Sequence, residues 1–115
     1  MSEQRPSGVQ TSLHTIAEIL RDPRPLSHEV RDVLAELIDE LGRALSDTAV
    51  PPAEVAHLAE STALLTQAVH RRDAPGILGE ARDRLDAAIL GAESKAPLLA
   101  GLARRLLDTL ANIGI

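Results

Sequence analysis

The strongest constraint on the fold is the spacing of the apolar residues between positions 30 and 45. They recur every three or four positions and form a wide stripe along one side of a helix: Val30, Val33, Leu34, Leu37, Ile38, Leu41, Ala44 and Leu45. Ser27 precedes this stripe at the position of an N-cap, and Glu29 lies in the first turn, where the helix dipole favours an anion. The pattern predicts a helix with one buried face.

The same spacing marks the other helices, and proline and glycine separate them. Ser7 and Gln10 form a capping-box pattern at the start of a first helix, which ends before Pro23. Pro97 either opens a fifth helix or kinks a continuous one. No segment alternates apolar and polar residues as a half-buried strand does. The breaks that we assign between the helices are residues 23–25, 46–52, 73–76 and 91–97.

These elements predict an all-α fold, an antiparallel bundle of four to five helices with short connections that contain Pro and Gly, in which helices that follow each other in the sequence pack antiparallel. We expect residues 1–8 to be a flexible N-terminal lead-in and residues 9–115 to form a single helical-bundle domain. At the C-terminus, Gly114 and Ile115 form a Schellman pattern that folds Ile115 back onto Leu110. Deleting Gly114 and Ile115 is therefore expected to lower the melting temperature.

Composition excludes several classes of protein. The 115 residues include no Cys, Phe, Tyr or Trp, and the net charge is −5. Without cysteine there is no disulfide, thiolate metal site or cysteine nucleophile. The acidic balance and the missing rings argue against nucleic-acid binding. The beginning, MSEQRPSG, has no apolar run typical of a signal peptide, and no stretch reaches the roughly 20 apolar residues of a membrane span. We expect a cytoplasmic protein without a nucleic-acid or membrane partner.

A core without aromatic rings favours association with another chain. Leu and Ala make up 19 and 18 of the residues, so the buried area per residue is modest. The second and fifth helices carry stripes wider than one neighbouring helix covers. We therefore expect a homo-oligomer, with a dimer favoured. The alternative is that five helices cover one another completely within one chain.

Histidines and acids supply the candidate metal ligands. Glu54 and His57 have the Glu-x-x-His spacing that di-iron bundles use, but those bundles use it twice and no second copy occurs here. A boundary histidine is the simpler interpretation of His57. His14 pairs with Glu18 at the i,i+4 spacing of an ordinary surface contact. Two further histidines receive no ligand role: His28 lies in the first turn of the second helix, and His70 in the last turn of the third.

The remaining polar groups are typical of solvated helix faces. The carboxylate pairs Asp39/Glu40 and Asp83/Asp86 fall on polar faces rather than in a cleft. The pair Gly76 and Gly79 is too short for a phosphate-binding loop and follows no strand. Six arginines lie in the second half of the chain: Arg71, Arg72, Arg82, Arg84, Arg104 and Arg105. These arginines form either a basic patch that contacts an acidic partner or a second copy, or a surface of mixed ion pairs such as Glu80 with Arg84. We favour the mixed surface.

Several segments resemble a small bacterial all-helical family, a domain of unknown function. The similar segments are residues 78–85, Ala92-Glu93, residues 97–100 and residues 106–115, with Ser12-Leu13-His14 and the second helix also fitting. Residues 48–75 have no counterpart. The chain departs from the family at Ala92 and Ala96, where the family has an aromatic residue and a histidine. The resemblance implies a helical fold and no known activity, so no functional residue is carried over.

Together these observations predict a self-associating or protein-binding helical module without catalytic activity. We assign no catalytic, cofactor-binding or metal-binding residue, and we expect no cofactor. The alternative is a small-molecule or metal-binding bundle that uses Glu54 and His57 with ligands from another helix or copy. Stoichiometric metal in the untagged protein would favour that alternative. An enzyme of unrecognised type is the least favoured hypothesis.

Overall fold

The computed structural model describes residues 8–22, 27–46 and 51–113, and these residues form five α-helices without a strand. The helices are α1 (Gly8–Arg21), α2 (His28–Leu45), α3 (Pro52–Arg71), α4 (Pro75–Ala92) and α5 (Pro97–Asn112). The all-α bundle predicted from the sequence is confirmed. Among the described residues, no helix combines the length and the apolar character needed to cross a bilayer.

Caps and prolines set where the helices begin. The Ser27 hydroxyl accepts a hydrogen bond from the Val30 N–H at 3.3 Å, so the predicted N-cap of α2 is present. Proline occupies the first position of α3, α4 and α5, where its missing N–H has no helical partner to lose. Pro97 therefore opens α5 rather than kinking a longer helix, which answers the question that the sequence left open.

Several sequence predictions concern residues outside the described ranges. These are the lead-in at residues 1–7, the cap at Ser7, the connector at residues 23–25, the loop at residues 47–50, and the ending Gly114-Ile115. Gly8, which we placed in the lead-in, is the first residue of α1.

Helix α3 is the centre of the bundle and contacts each of the other four helices. It has nine buried residues, against six in α2 and five each in α4 and α5. Helices α1 and α4 pack most extensively on α3, while α2 and α5 pack against each other and make smaller contacts with α3. Helix α5 also packs against α4.

The pairing of helices departs from the predicted order of sequential neighbours. Helix α1 packs more extensively on α3 than on α2, and α2 packs more extensively on α5 than on α3. Helices α3 and α4 are antiparallel as predicted, because Lys95, just after α4, lies 3.8 Å from Glu54 in the first turn of α3. Local sequence patterns specify the helices, whereas the choice of partner depends on how the apolar stripes fit in three dimensions.

The core is aliphatic, and alanine lines many of the helix contacts. Large side chains such as Leu37, Leu58 and Leu85 are fully buried. Two buried threonines interrupt this core on α3. The Thr66 hydroxyl donates to the Thr62 carbonyl at 2.7 Å, but the Thr62 hydroxyl has no hydrogen-bond partner among the described residues.

Candidate functional site

Glu54 and His57 do not converge on a metal site. The Glu54 carboxylate is mostly buried, faces Lys95, and lies against the backbone at Gly91 near the end of α4. His57 is exposed. Within the described part of the chain, no group of three or more His, Asp or Glu side chains is arranged to hold a metal ion. The structure therefore gives the metal-binding alternative no support.

The other histidines make local or tertiary ion-pair contacts. His14 Nε2 lies 3.2 Å from Glu18 on the exposed side of α1, the i,i+4 contact predicted from the sequence. His28 approaches Asp32 in the same way, at 3.7 Å on α2. His70 differs, because its Nε2 reaches across to Asp22 at 3.1 Å and both side chains are largely buried.

The His70–Asp22 contact ties the end of α3 to the end of α1. Arg31 on α2 strengthens the same corner, because its guanidinium donates to the backbone carbonyls of Leu20 and Asp22. These carbonyls belong to the last turn of α1 and the residue after it, where acceptors lack helical donors. The arrangement is a junction at which α1, α2 and α3 are held together.

Three of the four carboxylates in the predicted pairs are exposed, and Glu40 is mostly buried. Asp39 and Glu40 both approach Arg43, at 3.0 and 3.4 Å. Asp83 and Asp86 are exposed on α4. Neither pair lies in one of the grooves described below, so neither is placed for acid–base chemistry.

A groove lies on the surface between α3 and α4. It has a volume of about 270 Å³, and we call it the α3–α4 groove. Its apolar members are Leu64, Ala68, Ile77 and Ala81, and its polar members are Gln67, Arg71, Asp73, Glu80 and Arg84. Leu64 is 43% exposed and Ile77 51% exposed, so two large apolar side chains face solvent in one groove.

The connection between the two helices shapes this groove. Arg72 ends α3 in the left-handed conformation, with φ 57° and ψ 46°. The following N–H, of Asp73, donates to the Ala68 carbonyl at 3.0 Å, as in a Schellman motif. This tight reversal turns the chain directly into α4. The small side chains of Ala68 and Ala81 leave room between the helices, while the larger residues line the rim.

The charged groups of the groove are not paired with one another. Within the described residues, Arg71, Arg84, Asp73 and Glu80 take part in no ion pair, although Arg104 and Arg105 pair with Glu93 and Glu36 at 3.1 and 3.0 Å. The predicted Glu80–Arg84 pair is therefore wrong. Exposed i,i+4 pairs gain little free energy in water, so the spacing alone does not hold two long side chains together.

A second groove continues the same surface on the other side of α3. It lies between α1 and α3, has a volume of about 330 Å³, and includes Thr15, Glu18 and the His70–Asp22 contact. Gln67 and Arg71 line both grooves. The outer side of α3 is therefore a continuous exposed strip between two flanking helices.

Sequence reasoning did not single out Leu64 or Ile77. A signal was present, because Leu64 falls outside the stripe of α3 that includes Leu58, Leu65 and Val69. A large apolar residue on the polar side of an amphipathic helix indicates a second contact surface. Ile77 was hidden by its place in the first turn of α4, beside Gly76 and Gly79, which both lie within that helix.

Comparisons with protein-family models, with curated proteins and with solved structures found no match to this chain. The resemblance to a bacterial helical family accordingly stays a prediction. Contacts and exposure within the chain itself are what support a functional proposal.

Proposed function

We propose that the protein is a self-associating helical module that acts by forming an assembly through the α3–α4 groove, without catalytic activity of its own. The observation that carries this proposal is the joint exposure of Leu64 and Ile77 in one groove. Large apolar side chains gathered on a surface are typical of protein–protein contacts.

This proposal moves the contact surface from where the sequence placed it. The wide stripes of α2 and α5 are mostly used within the chain, because these two helices pack against each other. Three large apolar side chains of those stripes stay exposed: Leu45 on α2 at 45%, Leu98 on α5 at 60%, and Ile113 just after α5 at 41%. None of them lines the α3–α4 groove.

Apolar burial alone is not enough to stabilise such an assembly. Complete burial of a Leu or Ile side chain contributes about 1.5–3 kcal/mol, so covering a half-exposed one contributes about 1 kcal/mol. Leu64 and Ile77 from two copies would together contribute about 4 kcal/mol, which is at the low end of the estimated cost of association of two proteins. Polar contacts around the groove are therefore needed as well.

Sedimentation equilibrium at high micromolar concentration tests the proposal. Interference optics are required, because the chain has no Trp or Tyr to absorb in the near ultraviolet. We expect the wild type to be a dimer, and Leu64→Glu and Ile77→Glu to be monomers with unchanged far-UV circular dichroism. Leu98→Glu is the matched control, since it places the same charge at an exposed apolar position outside the groove.

Two results would overturn the proposal. One is a wild type that stays monomeric throughout the concentration range. The other is a dimer that Leu98→Glu breaks and Leu64→Glu leaves intact, which would return the contact to α5.

We further propose the cytoplasm as the compartment and a protein rather than a nucleic acid as the partner. The absence of cysteine is compatible with a reducing environment. The net charge of −5 and the lack of aromatic rings disfavour binding to phosphate backbones and to single strands.

A further inference from the structure

We draw no further inference here: the strongest candidate, the surface groove between α1 and α3 that includes Glu18, Arg71 and the His70–Asp22 contact, carries nothing because nothing in the structure shows what covers it.

Discussion

Replacing Arg72 by glycine should stabilise the protein. Arg72 adopts the left-handed conformation, with φ 57° and ψ 46°. A residue with a Cβ atom is disfavoured there by about 1–2 kcal/mol, whereas glycine adopts it freely. The hydrogen bonds of this turn come from the backbone N–H groups of Arg72 and Asp73 to carbonyls of α3. They are therefore retained when the side chain is removed.

The net gain in the free energy of unfolding is smaller than the strain energy that the substitution relieves. Glycine loses more conformational freedom on folding, which costs about 0.5–1 kcal/mol. The free energy of unfolding should therefore rise by about 0.5–1 kcal/mol, the difference between these two effects. Unfolding entropy near 2.1 cal/mol/K per residue gives about 0.24 kcal/mol/K for 115 residues, so the melting temperature should rise by about 2–4 °C.

Thermal and urea denaturation followed by circular dichroism measure this change. Arg82→Gly is the control, because Arg82 lies inside α4 with helical geometry and should lose about 1 kcal/mol on the same substitution. Arg72→Ala keeps the strained conformation and should stay within about 0.5 kcal/mol of the wild type. If Arg72→Gly melts no higher than the wild type while Arg82→Gly behaves as expected, the reasoning about this turn is refuted.

Three further predictions concern caps and core, all measured by urea denaturation. Ser27→Ala removes the acceptor for the Val30 N–H and should lower the free energy of unfolding by about 1 kcal/mol. An unchanged free energy of unfolding would show that this cap does not stabilise the fold. Ala74 is the N-cap residue just before α4, and its φ of −58° and ψ of 151° are close to the −63° and 154° of Ser27, the N-cap of α2. Ala74→Ser should therefore raise the free energy of unfolding by about 1 kcal/mol. An unchanged free energy of unfolding would contradict the argument from matching geometry. Leu58→Ala, in the fully buried core, should lower the free energy of unfolding by about 2–5 kcal/mol. Leu90→Ala, at a position that is 61% exposed, should change it by less than about 0.5 kcal/mol. Similar losses for the two variants would contradict the assigned burial.

The helices could be predicted from the sequence because their signals are local. The stripe of α2, its cap at Ser27 and the prolines at the starts of α3 and α4 act within a few residues of one another. The status of Pro97 could not be predicted, because a proline that opens a helix and one that kinks a helix differ in their surroundings rather than in nearby sequence.

Helix partners and the groove depend on contacts between distant residues. Each apolar stripe shows that a helix has a buried face, but it does not specify which helix covers that face. The pairing of α2 with α5 therefore could not be derived, and it changed which apolar surface is left exposed. Leu64 and Ile77 become neighbours only after α3 and α4 fold back on each other.

The contact of α3 with every other helix has a consequence for how the molecule opens. Peripheral helices can detach one at a time, but the buried side of α3, which includes Leu58, Thr62 and Leu65, meets solvent only when the helices packed against it separate. Amide hydrogens there exchange with deuterium through complete unfolding rather than local fluctuation. Their exchange rates in native buffer thus report the total free energy of unfolding, without any denaturant.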